Sequence, residues 1–140
     1  MKMEWNYGKK DIEDCFLVRK KVFVDEQNFS EELEYDDIDA VAYHLCFYDE
    51  DRPIAAARLF QENDHYHCGR ICVLKEYRGS GLGRIIMNEI ERKAKELNAT
   101  TLILSAQVRV KPFYLKAGYQ TYGEEYFDEY CPHIEMRKAL

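Results

Sequence analysis

Arg70-Ile71-Cys72-Val73-Leu74-Lys75-Glu76-Tyr77-Arg78-Gly79-Ser80-Gly81-Leu82-Gly83-Arg84 is the segment that sets the architecture. It opens on apolar and β-branched residues, passes through charged ones to three alternating glycines, and ends where apolar residues begin to recur at helical spacing. The order is strand, loop, helix. The glycines remove side chains that would block a close approach to the backbone. The unpaired N–H groups of the helix's first turn then converge on one point, which makes an anion site. Arg78 and Arg84 add full positive charge beside it. A pyrophosphate fits that chemistry.

Two common phosphate loops fail here. A Walker loop ends in Gly-Lys-Ser/Thr, whereas Gly83 is followed by Arg84-Ile85. A dinucleotide fingerprint starting at Gly79 and Gly81 needs a glycine at position 84, and an acidic residue about twenty positions on. The sequence there offers Leu104-Ser105-Ala106-Gln107.

Working outward, Ile86, Met87, Ile90, Ala94 and Leu97 share one stripe and predict an amphipathic helix over Leu82–Leu97. Thr101–Ala106 is a short apolar run and predicts a buried strand. Pro112 suits the first turn of a short helix that Gly118 ends. Tyr119 to Lys138 supplies a final strand pair. On the other side, strands are predicted at Met3–Tyr7, Val41–Tyr48, Ile54–Phe60 and Tyr66–Leu74. Ile12, Cys15, Phe16, Arg19, Val22 and Phe23 predict a helix from about Asp11 to Glu26. Ser30–Asp39 reads as a loop or short helix. The fold class is mixed α/β, a largely antiparallel sheet flanked by helices, in one domain over 1–140.

Composition narrows the partners. With 46% apolar residues and no run of membrane-span length, the 140-residue chain should fold around a real core, without a membrane segment or signal peptide. It is expected in the cytoplasm. The net charge of -6 is the wrong sign for a general nucleic-acid binder and suits an amine-bearing partner. The five cysteines form no CxxC pair. His67 and Cys68 should point to opposite faces of a strand, so the His65-Tyr66-His67-Cys68 run is not expected to hold a metal.

Arg78, Gly81 and Gly83 match the arginine–x–x–glycine–x–glycine pattern of GNAT acetyltransferases, and Pro112-Phe113-Tyr114-Leu115-Lys116-Ala117-Gly118-Tyr119 resembles a second signature of that superfamily. Arg19-Lys20-Lys21-Val22-Phe23-Val24-Asp25-Glu26-Gln27 and Pro132-His133-Ile134-Glu135-Met136 are similar to its ElaA-like or YjcF-like branch. The resemblance implies the GNAT fold and acetyl-CoA as cosubstrate, with no metal. It implies that Arg78, Gly79, Ser80, Gly81, Leu82, Gly83 and Arg84 cradle the pyrophosphate, while Ile71, Cys72 and Val73 run beside the pantetheine arm. Gln107 stands where many members carry a CoA-contacting Asn.

The same resemblance implies direct acetyl transfer to a primary amine in a ternary complex, with Tyr114 protonating the departing thiolate and His133 as candidate base. His44, Glu34 and Asp36 are its rivals. Cys72 is expected as a lining residue rather than a nucleophile, and Arg19, Arg58 and Arg70 either orient an anionic group on the acceptor or form ion pairs. Family members often dimerise, which makes a homodimer an expectation. Two other functions compete: a CoA-binding regulatory module with little catalysis, and a protein acetyltransferase for lysine or N-terminal amines that uses Ser30–Asp39 as a groove.

Overall fold

In the computed structural model, which describes all 140 residues, the strand-forming segments assemble into one seven-stranded sheet. The strands are β1 (Lys2–Tyr7), β2 (Tyr43–Asp49), β3 (Arg52–Glu62), β4 (His65–Val73), β5 (Thr101–Gln107), β6 (Gln120–Asp128) and β7 (Cys131–Ala139). Their spatial order is β1-β2-β3-β4-β5-β7-β6. Every neighbouring pair is antiparallel except β4 and β5. That exception follows from chain order, because the crossover helix α3 (Leu82–Glu96) returns the chain to the same end of the sheet.

Helix α3 forms as its stripe predicts. Leu82, Ile86, Met87, Ile90 and Ala94 are buried, and Lys93 and Lys95 stand in the last turn, where the helix dipole favours cations. Helix α1 (Glu13–Arg19) packs on the opposite face of β3 and β4 and buries Cys15, Val18 and Arg19. Its continuation departs from the expected single helix: Lys20–Glu26 is π-helical, and Gln27 N–H donates to the Val22 carbonyl at 3.1 Å. The acidic segment becomes the short helix α2 (Glu31–Glu34) and a 3₁₀ turn over Asp37–Val41, so Val41 precedes β2 instead of opening it. Helix α4 (Lys111–Lys116) carries Pro112 in its first turn and stops at Gly118, whose φ of 97° needs glycine.

Strand β4 holds the irregularity that matters most. Ala56 pairs with Cys72 and Arg58 with Gly69, so Arg70 and Ile71 together oppose Ala57 in a β-bulge. Arg70 takes a φ of 50° there, a left-handed conformation that a non-glycine residue adopts only when held.

Candidate active site

The site begins where two strands part. β4 and β5 pair only at Tyr66–Leu102, His67–Ile103 and Cys68–Leu104. Beyond Cys68 the backbone of β4 has no partner on its β5 side, and a cleft opens that continues as a cavity of about 500 Å³. A free strand edge beside a cavity accepts an extended, amide-bearing chain by strand-like pairing.

Past the end of β4, between that strand and α3, lies the glycine loop. The N–H groups from Gly79 through Arg84 donate to no backbone carbonyl, and the first helical bond of the turn runs from Ile85 N–H to Gly81. Gly79 and Gly81 both have a φ of 84°, and a Cβ at either would meet nothing within 4 Å. Their conformation, rather than crowding, calls for glycine. Gly83 differs: a Cβ there would lie 3.3 Å from Phe113, so this glycine lets α4 pack on α3. Leu82 is buried and anchors the helix, Ser80 Oγ donates to the Tyr77 carbonyl, and the Arg84 guanidinium is exposed. Arg78 forms a two-pronged pair with Glu26 at 2.6 and 2.7 Å, and its Nε donates to the Val73 carbonyl. Glu26 was not among the sequence-predicted site residues. The Arg78 guanidinium holds its carboxyl below the usual carboxylate range despite partial burial.

Tyr114, on α4, lines the cavity and is 8% exposed. No protein group bonds its hydroxyl, and the hydroxyl is not sealed off, because the only fully enclosed side-chain N or O atom without a partner is Arg58 Nε. It therefore opens on the cavity. Burial, with Cys68 nearby, pushes its ionisation up and keeps the proton on oxygen. His133 on β7 sits opposite Gln107 of β5 and also lines the cavity. Its Nδ1–H donates to the Cys131 carbonyl at 3.0 Å, which leaves Nε2 with a free lone pair. His44, the rival base, is enclosed, and its Nε2–H donates to the Asp39 carbonyl.

The wall facing α1 is an ion-pair network. Arg19 bonds Glu34 and Asp39, Arg58 bonds Asp36 and Asp39, and Arg70 pairs with Glu34 and Asp36. Arg70 Nε also donates to the Glu34 carbonyl, a set of contacts that clamps the bulge in β4. Arg19 is 1% exposed and lies behind the cavity lining, so it is not placed to orient an acceptor; Arg58 and Arg70 do reach the lining.

The remaining expected residues divide. Ile71 and Gln107 line the cavity, with Gln107 Nε2 donating to Gln27 Oε1 at 2.9 Å. Cys72 turns its side chain into the core, where burial pushes its thiol up to about 12, so it is no thiolate nucleophile. Val73 likewise stays outside the lining. What the sequence reading missed is the roof: Phe23, Gln27, Phe29 and Leu33, tied down by Ser30 N–H donating to Glu129, the Tyr130 hydroxyl donating to the Gln27 carbonyl, and Phe29 stacking on Tyr130.

The family description "Acetyltransferase (GNAT) domain" matches residues 8–140. The chain is a GNAT acetyltransferase. It is 39% identical over 132 residues to the uncharacterized N-acetyltransferase YjcF of Bacillus subtilis, covering 94% of each chain. Among solved structures, an acyl-CoA N-acyltransferase from Pseudomonas aeruginosa superposes with a TM-score of 0.89 at 26% identity, over 99% of this chain and 100% of that one. Escherichia coli ElaA gives 0.84 at 25% identity, over 98% and 99%. This acetyltransferase thus lies in the ElaA/YjcF-like branch. PaiA N-acetyltransferase from Thermoplasma acidophilum, solved in complex with coenzyme A, shares the fold with a TM-score of 0.70 at 17% identity.

Proposed function

We propose that this acetyltransferase moves an acetyl group directly from acetyl-CoA to the primary amine of a small molecule within a ternary complex. The observation that carries the reading is a cavity where the Tyr114 hydroxyl and His133 Nε2 both remain uncommitted. It lies beside the unpaired edge of β4, the strand that leads on to the six free N–H groups of the loop. The pyrophosphate would sit on the loop and the pantetheine arm along β4, and the fold neighbour PaiA was solved in complex with coenzyme A.

The amine must lose a proton, the carbonyl oxygen must bear charge, and the thiolate must leave. His133 Nε2 takes the proton as nitrogen attacks the thioester carbon. An N–H on the free edge of β4, beside the bulge, stabilises the oxyanion, a contribution on the order of 3 kcal/mol in comparable sites. As the C–S bond breaks, the Tyr114 hydroxyl protonates sulfur, and the product amide and free CoA leave. Glu34 is the strongest rival base, because one oxygen of its buried carboxylate has no partner.

A regulatory CoA-binding module would need neither an uncommitted Tyr114 hydroxyl nor an uncommitted His133. The roof over the acceptor side favours a small amine over a protein lysine or N-terminus. A homodimer is proposed through β6, the last strand of the sheet, which is exposed along all nine residues. We place the protein in the cytoplasm and expect no nucleic-acid partner at a net charge of -6. The test is acetyl-CoA binding by calorimetry followed by an amine screen read through thiol release. Absence of acetyl-CoA binding at millimolar concentration would sink the reading.

A further inference from the structure

Gly69 occupies the middle of β4, one residue past the last β4–β5 pair, and lines the cavity. Its φ lies outside the left-handed range, and a Cβ built there would meet nothing within 4 Å. A glycine interior to a strand, with neither strain nor crowding to require it, forgoes stability and leaves room for a close ligand. Arg58 is its partner across β3, and the next pair on the same face is Phe60 and His67, whose rings stack at 5.4 Å. The space is therefore walled by aromatic surface.

Glu34, 5% exposed, lines the same cavity and pairs with Arg70, the residue after Gly69. Arg19 Nε and Arg70 Nε hold its Oε2 at 2.9 and 3.0 Å, while Oε1 receives no bond from the protein and is not sealed. The cations of this wall are already matched, and the further cavity-lining arginine, Arg109, belongs to the turn after β5. Three guanidinium groups face the three carboxylates Glu34, Asp36 and Asp39, and the spare Arg58 Nε is enclosed beyond reach of a ligand. An acceptor carboxylate or phosphate finds no free cation on this wall, whereas a hydrogen-bond donor finds a free carboxylate oxygen.

We propose that the acceptor is a short aliphatic amine carrying a second hydrogen-bond donor, a hydroxyl or ammonium, which lies over Gly69 and gives that donor to Glu34 Oε1. The proposal rests on the acyl-transfer reading above and names the substrate class of the same site. Glu34 here binds the acceptor at a distance from the reacting nitrogen, and Gly69 sets the room for its chain.

The experiment uses linear primary amines of three to six carbons that end in methyl, hydroxyl, ammonium or carboxylate, with acetyl-CoA and the full chain. At the best length, hydroxyl or ammonium ends should give at least tenfold higher kcat/KM than methyl, and carboxylate ends should be the poorest. Gly69→Val should lower kcat/KM for every amine at least tenfold, with acetyl-CoA affinity within twofold of wild type and no fall in Tm. Glu34→Gln should erase the preference for ammonium over methyl. Equal rates across the four ends, turnover of none of them, or a Gly69→Val enzyme as fast as wild type would each overturn the subsite. Acetyl-CoA binding, measured separately in the same samples, tells failure of the subsite from failure of the acyl-transfer reading. Should Glu34→Gln fail to fold, the wild-type panel and Gly69→Val still decide.

Discussion

At the scale of single residues, two uncommitted atoms would carry the proposed chemistry. The Tyr114 hydroxyl keeps its proton because its site is buried, yet it opens on the cavity. Tyr114→Phe retains the ring packed edge-on against Tyr119 and removes only the donor. Turnover should fall by about 10²-fold or more while acetyl-CoA affinity stays near wild type, as single-turnover kinetics and calorimetry would report. His133 is tested by substitution. Its Nδ1–H is spent on the Cys131 carbonyl, so Nε2 is the nitrogen left free for the acceptor amine. His133→Asn should lower kcat/KM by about 10²-fold or more while acetyl-CoA affinity and Tm stay near wild type. Turnover near wild type in His133→Asn, with Glu34→Gln inactive toward every amine, would move the role of base to Glu34. Glu26 raises a third point, since its carboxylate occupies the Arg78 guanidinium that the proposed pyrophosphate site would use. Removing a half-exposed pair changes little in stability, so Glu26→Gln should tighten acetyl-CoA binding, by about two- to fivefold in a titration.

At the scale of elements, the glycine loop and α3 were the most legible part of the chain, because each residue's local demand agrees with its neighbours. Left-handed glycines, an anchoring Leu82 and an apolar stripe all point one way. The variant that tests the element is Gly81→Asp, which puts a side chain and a negative charge among six N–H groups that have no backbone acceptor. Acetyl-CoA affinity should weaken at least tenfold, about 1.4 kcal/mol, and unchanged affinity in a folded variant would remove the loop from the site. Gly83→Asp is a poorer probe, because its Cβ would crowd Phe113 at 3.3 Å, so its effect would also report on α4 packing. The elements that sequence left unread are those whose geometry is imposed from a distance. Apolar spacing over Lys20–Glu26 fits an α-turn and a π-turn equally over seven residues, so the shift that brings Phe23 and Gln27 to the cavity leaves no local signature. The bulge at Arg70 is similar: its left-handed backbone is held by Glu34 and Asp36, more than thirty residues away. Tyr130 and Phe29, which close the roof, meet across most of the chain.

Across the whole molecule, one buried network ties these pieces together. Asp39 is fully enclosed, accepts from both Arg19 and Arg58, and caps the 3₁₀ turn by accepting from Asp36 N–H. It joins α1, the turn before β2, and β3, while Glu34 and Arg70 extend the same web to α2 and β4. Burial alone would raise the Asp39 carboxyl, but the hydrogen bonds and charges of Arg19 and Arg58 outweigh it and hold the group below its ordinary range. Asp36 is shifted the same way by Arg58 and Arg70 against its own burial. A carboxylate with a depressed folded pKa contributes stability that is present above its unfolded value and lost as pH falls through the folded one. Glu34 is shifted upward, chiefly by burial, so its share runs in the opposite sense and softens the acid loss. Thermal stability should therefore decline below about pH 4, the unfolded carboxylate range. Asp39→Asn deletes one buried charge and faces two guanidinium groups with an amide that cannot match them. Breaking such a pair costs about 3–5 kcal/mol, a large part of the stability of a domain this size. The variant should melt about 10–20 °C lower at neutral pH and show a flatter acid limb than wild type, both read by calorimetry from pH 3 to 7. A melt within two degrees of wild type would mean that the network is solvated at Asp39. Because Asp39 shares Arg19 with Glu34 and Arg58 with Asp36, the two carboxylates that hold Arg70 in the β4 bulge, the same variant should also lose kcat below its melting temperature.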